Sequence, residues 1–98
     1  MKLITKEILK LLPPLYSTSE LESSEIKVPL KLFNPVGTGT WYITEYDKEK
    51  KIAFGCSNRE LGYISITELE SVTLKYGLKI ERDLYWDKNT TLKEVMNL

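Results

Sequence analysis

Between residues 40 and 66 the chain alternates apolar and polar side chains with a period of two, and turn residues interrupt it at short intervals. Successive side chains of a strand point to opposite faces, so this pattern demands strands, and the short links between them demand an antiparallel meander. Thr40–Asp47, rich in β-branched and aromatic residues, is the strongest strand. Read without interruption it puts Trp41, Ile43 and Glu45 on one face and Tyr42, Thr44 and Tyr46 on the other. A charged tip at 47–50 leads to a run with Ile52, Phe54 and Cys56 on one face. Ala53 and Gly55 lie opposite, where something bulky can approach the backbone. Ser57-Asn58-Arg59-Glu60 is a second turn, and 61–66 a further strand.

Upstream, Ile26, Val28, Leu30 and Leu32 alternate with Lys27, Pro29, Lys31 and Phe33, and Asn34-Pro35-Val36-Gly37 turns the chain. Pro29 has no N–H to give to a ladder, so this strand is expected at a sheet edge. Residues 78–82 offer a short additional strand.

Three helices are expected around the strands. Thr5 is a suitable N-cap, with Ile4 and Leu9 spaced as a hydrophobic staple, and Pro13-Pro14 stops this helix. Thr67 and Glu70 have capping-box spacing, with Leu69, Val72 and Tyr76 as the apolar stripe and Gly77 as the stop. Thr91 and Glu94 form a second capping box before Leu92, Val95 and Met96. Residues 17–25 are polar and read as a mobile surface loop. The fold class is α+β: a single domain over 1–98, an antiparallel meander of about four strands with short N-terminal, middle and C-terminal helices.

A chain of 98 residues buries roughly 60–70% of its unfolded surface, enough for one core without staples. Cys56 is the single cysteine, so no internal disulfide forms. Its alternation with Ile52 and Phe54 marks it as a small core residue. A reducing, cytoplasmic setting is expected, since no apolar run approaches the length of a membrane span.

Enzyme chemistry finds little purchase. The chain has no histidine, which removes the commonest general base and zinc ligand. No phosphate-cradling glycine motif is present, and Gly37-Thr38-Gly39 precedes a strand rather than a helix. The carboxylate pairs Glu45/Asp47 and Glu81/Asp83 could hold a hard cation, but solvated charges and an Arg82–carboxylate pair account for them more simply. No cofactor is expected. Basic and acidic residues balance at 14 each, which leaves no dense basic stripe for nucleic acid.

Leu12-Pro13-Pro14-Leu15-Tyr16, the run Trp41 to Asp47, Leu61-Gly62-Tyr63-Ile64-Ser65-Ile66 with Glu68-Leu69-Glu70, and Ile80-Glu81-Arg82-Asp83 together resemble an uncharacterised bacterial family of unknown function, carried by plasmids, conjugative elements and phages. The resemblance implies a setting and transfers no catalytic residues. By analogy with small accessory proteins of such elements, it implies a non-enzymatic counter-defence inhibitor that binds a host protein, a CRISPR effector or another nuclease, as anti-CRISPR proteins do. The expected contact surface is the hairpin 42–51 with the turn 81–83. There Tyr42, Glu45, Asp47, Glu81, Arg82 and Asp83 meet the partner, and Tyr46 is the apolar anchor. Two alternatives stand beside it: a nucleic-acid-associated accessory domain for plasmid maintenance or transfer using Lys27, Lys31, Lys48, Lys50 and Lys51, and a carboxylate-dependent metal hydrolase.

Overall fold

The computed structural model describes residues 2–97. The elements in chain order are α1 (Lys6–Leu11), β1 (Leu30–Phe33), β2 (Thr40–Asp47), β3 (Ile52–Ser57), β4 (Glu60–Ser65), α2 (Ile66–Ser71), β5 (Glu81–Arg82) and α3 (Leu92–Met96), with a single 3-10 turn at Lys75–Gly77. The strands form one five-stranded antiparallel sheet in the order β4-β3-β2-β1-β5. This is the expected α+β meander, extended by one short strand.

The sheet is covered unequally on its two faces. On the first, Leu30, Leu32, Ile43, Tyr46, Ala53 and Ile64 form the main core with Leu3, Ile4, Ile8 and Leu12 from the N-terminal segment and Ile66 from α2. Each fully buried aliphatic side chain of this kind contributes about 1.5–3 kcal/mol. On the second face, Ile26, Val28, Cys56, Leu92 and Val95 form a smaller cluster under α3, with Tyr42, Trp86 and Met96 packed on it.

Helix ends follow their caps, with one correction. The Thr5 side chain accepts from the Ile8 N–H, and both halves of the Thr91–Glu94 capping box are present. In α2, however, the cap is Ser65, accepting from the Glu68 N–H, rather than Thr67. The α2 helix also ends at Ser71, and Tyr76 takes a left-handed conformation (φ 61°) in the 3-10 turn. Val72 and Tyr76 are exposed, so the helical stripe expected through them does not form. Glu70 instead accepts from the Leu3 N–H at 3.2 Å, tying the N-terminus to α2.

The upstream strand also differs from its expectation. Ile26, Val28, Leu30 and Leu32 are all buried, but Ile26 and Val28 belong to the smaller cluster and the two leucines to the main core. Pro29 lies between the two pairs. Before it, the backbone pairs with 90–92: Val28 N–H donates to Thr90 O, and Leu92 N–H to Ile26 O, each at 2.8 Å. After Pro29 begins β1, which lies between β2 and β5 and is not an edge. Proline stops the ladder, as its missing N–H requires, but it does so by standing before the strand.

Strand β2 contains a β-bulge. Ile43 pairs with Gly55 and Glu45 with Phe54, which leaves Thr44 as the extra residue, its hydroxyl donating to Phe54 O at 3.0 Å. An extra residue inverts the alternation beyond it. Glu45 therefore joins the face of Tyr42, and Tyr46 joins that of Trp41 and Ile43, correcting the assignment made from uninterrupted period two. The bulge also explains Gly55: a Cβ there would sit 2.0 Å from Tyr42 O and 3.0 Å from Ile43 Cα. What approaches Gly55 is the neighbouring backbone. At the β3–β4 link, Asn58 and Arg59 both have positive φ (53° and 64°), as a primed two-residue hairpin turn requires.

Two measurements check this packing. Gly55→Ala drives a carbon into fixed backbone and is expected to cost about 3 kcal/mol or more in urea unfolding. Gly62→Ala, where a Cβ meets nothing within 4 Å, is the control and should change stability by less than about 1 kcal/mol. Cys56 is only 2% exposed. Burial pushes its thiol pKa up, with a hydrogen bond to the Arg59 backbone pulling the other way. A thiol reagent at neutral pH should therefore leave native protein unmodified and label it only as fast as it unfolds.

Candidate functional site

The second face of the sheet is covered in two parts, and a cleft lies between them. Under α3 the surface is closed by the Cys56 cluster. Beside it, over Phe54 of β3 and Leu61 and Tyr63 of β4, the only cover among the described residues lining the cleft comes from residues 16–26 and the α3 residues Leu92 and Met96. The cleft has a volume of about 390 Å³. Its floor is the bulged part of β2, and Phe54, Leu61 and Tyr63 form one wall.

Glu45 organises this region. The bulge aims it at the cleft face, where it is 4% exposed. Its Oε1 accepts from the Tyr16 N–H at 2.8 Å, and its Oε2 accepts from the Thr18 N–H at 2.9 Å and from the Thr18 hydroxyl. A buried carboxylate needs such donors, because losing water without replacement is costly. The polar segment 17–25 is thus pinned rather than loose. Consecutive turns continue it, with Ser19 N–H donating to Tyr16 O, Leu21 N–H to Thr18 O and Glu25 N–H to Glu22 O.

Tyr16 pays for this anchoring with a left-handed backbone, φ 70°, a conformation that costs a bulky residue on the order of 1–2 kcal/mol. Its ring nevertheless stands 66% exposed at the rim, edge-on to the Tyr63 ring at 6.4 Å. Tyr63 in turn stands edge-on to Phe54 at 5.4 Å. The Tyr63 hydroxyl donates to that of Tyr16 at 3.1 Å, and this bond is the main reason the Tyr63 phenol pKa is raised. Leu21 and Leu61 complete the rim, each nearly half exposed. Strand β4, which carries Leu61 and Tyr63, is one edge of the sheet.

The contact residues expected from the sequence are divided among four places. Tyr46 is buried in the main core, its phenol pKa raised by burial first and by Glu70 and Asp47 next, so it cannot serve as an exposed anchor. Glu45 is likewise buried, as the tether of Tyr16 and Thr18 rather than a surface charge. Asp47 sits at the β2–β3 tip and accepts from the Glu49 and Lys50 N–H groups at 2.9 and 3.2 Å, an Asx turn. Glu81 and Arg82 pair with Phe33 and Leu32 across β1. Asp83 meets Lys31 at 3.5 Å, and Lys31 lies over the Trp86 and Tyr42 rings at 5.3 and 6.0 Å. Tyr42 and Asp83 are therefore joined through Lys31, while Glu45, Tyr46 and Asp47 are separated by the bulge and the turn.

Sequence reasoning missed Tyr16, Leu21 and Leu61 as a rim. One signal was present: β4 is apolar on both faces, Leu61 and Tyr63 on one and Ile64 on the other, which is more than a one-sided sheet requires. Among the described residues no three of Cys, Asp and Glu gather as a metal-binding group, and no helix is long and apolar enough to cross a membrane.

The tether is directly testable. Glu45→Ala leaves three donors without their acceptor and is expected to destabilise the fold by about 2–5 kcal/mol. Thr18→Val removes only the hydroxyl and should cost about 1 kcal/mol. Equal, negligible losses in urea unfolding would show that the 16–18 segment is not held by Glu45.

No curated protein and no solved structure matches the chain. A family model described as a protein of unknown function, DUF2958, matches residues 3–98, nearly the whole sequence. The chain therefore belongs to the DUF2958 family, a domain of unknown function.

Proposed function

We propose that this DUF2958 chain is a non-enzymatic binding protein that docks a partner protein through the Tyr16–Tyr63 cleft and serves a mobile genetic element by inhibiting a host nuclease or effector. The observation that carries the binding reading is the rim: Tyr16, Leu21, Leu61 and Tyr63 are 66%, 45%, 47% and 59% exposed around one cleft. Apolar side chains gathered this way on a monomer surface mark an interaction site, whereas scattered ones do not. Tyrosine suits such a site because it offers large contact area for few rotatable bonds. The strained Tyr16 backbone supports the same reading, since left-handed bulky residues concentrate at ligand clamps and switch regions.

The counter-defence setting rests on the motif resemblance to one family carried by mobile elements and on analogy with their small accessory proteins, and the zero net charge argues for a protein partner over nucleic acid. The cleft is a better contact surface than the 42–51 hairpin with the 81–83 turn, because Glu45 and Tyr46 of that hairpin are buried.

The test is capture from host lysate with tagged wild-type chain and with a Tyr16→Ser/Tyr63→Ser variant, followed by reconstitution with the purified partner. A nuclease or effector retained in stoichiometric amount by the wild type, lost from the variant and inhibited on reconstitution is the expected result. Retention that the variant leaves unchanged would remove the cleft from the interface. An unimpaired enzyme in the reconstituted complex would end the inhibitor reading.

A further inference from the structure

The cleft carries a chemical bias of its own. Of the 13 residues that line it, 12 are neutral aliphatic, aromatic, thioether or hydroxyl side chains, and the single carboxylate is Glu45. All three hydrogen bonds described above reach Glu45 from uncharged donors, two backbone amides and one hydroxyl. A carboxylate offers about four lone-pair sites. Two donors share Oε2 and one takes Oε1, so none of the three brings Glu45 a countercharge. A lone negative charge within low-dielectric walls focuses its field into the cleft and attracts a cation.

The walls suit the same ligand. The rings of Tyr16, Tyr63 and Phe54, all in the cleft lining, meet edge-to-face at 68° and 69°. Aromatic faces attract cations, and a planar guanidinium both stacks on rings and hydrogen-bonds a carboxylate. Leu21, Leu61 and Met96 provide apolar surface for an aliphatic stem. A volume of about 390 Å³ lies at the small end of ligand pockets and has room for one long side chain.

We infer that the cleft is a receptor for an arginine side chain of the partner protein, with the guanidinium directed to Glu45 and the stem held between the aromatic wall and Leu21. The inference rests on the partner-docking reading of the same cleft and adds the chemistry of the anchor. The occupant is argued from charge complementarity: a neutral apolar anchor would leave the Glu45 charge without a counterion in the complex.

The experiment is an amide-shift NMR titration of the isolated chain with N-acetyl-arginine N-methylamide, and with the norleucine analogue as its uncharged counterpart. The arginine probe is expected to shift the Tyr16, Thr18 and Phe54 amides saturably. It should bind more tightly than the norleucine probe by about fivefold or more, the ratio a moderate cation–π contact supplies. Tyr63→Leu, at an exposed edge position, should keep the fold and lose most of that preference. Glu45→Gln should lose it too, provided its amide spectrum shows the 16–18 segment still docked.

Equal binding of the two probes would overturn the inference and leave a purely apolar docking site. No saturable shift with either probe, in a chain that still captures its partner, would overturn it and leave the docking reading standing. Concentration-dependent shifts of the same amides without probe would identify a second copy as the occupant and also overturn it.

Discussion

The bulge at Thr44 is the constraint on which the other features of this molecule depend. One additional residue in β2 reverses the direction of every side chain after it, so that Tyr46 completes the main core and Glu45 is delivered to the opposite face. It also presses the β2 backbone against β3, and Gly55 is the residue that lets the two strands meet. The bulge and the glycine are one device, because the first is sterically impossible without the second. Bulges recur where a strand must re-aim a side chain, and here the side chain is the carboxylate beneath the cleft.

From Glu45 the consequences run outward. A buried carboxylate must find donors, and it finds them in the backbone of Tyr16 and the backbone and hydroxyl of Thr18. That requirement folds a polar segment of low β and helical preference against the sheet. The segment brings Tyr16 to Tyr63, and the two rings define a rim that neither element makes alone. The left-handed Tyr16 backbone is held in place by these contacts on both its amide and its ring. The two faces of the sheet thus have different duties. The first is closed by α1 and α2 and supplies stability, while the second is only partly closed by α3 and leaves an aromatic cleft over a single charge.

The sequence announced the strands, the turns and most of the caps because those signals are local. Thr5, Thr91, Pro13-Pro14 and the turn at 57–60 act within a few residues of where they stand. Pro29 was legible as a ladder breaker but not in its position, since whether it falls within a strand or before one depends on what 26–28 pairs with, and that partner is 90–92. Ser65 displaced Thr67 as a cap for a related reason: strand β4 runs directly into α2, and the pairing of Ser65 with Ile52 fixes where the ladder ends.

The expected contact surface failed at the bulge. Period two holds only while each residue has one partner, and nothing in Thr40–Asp47 taken by itself marks Thr44 as the extra one. The sequence alone determined an α+β meander, a buried Cys56 and a chain without histidine. Tertiary structure decided which face each residue after Thr44 occupies, that Glu45 and Tyr46 are interior, and that Tyr16 and Tyr63, 47 positions apart, stand together over one cleft. The division has a physical cause: propensity, capping and turn geometry are set by neighbours in the chain, whereas a register shift and a buried charge are settled by partners brought near only when the sheet has formed.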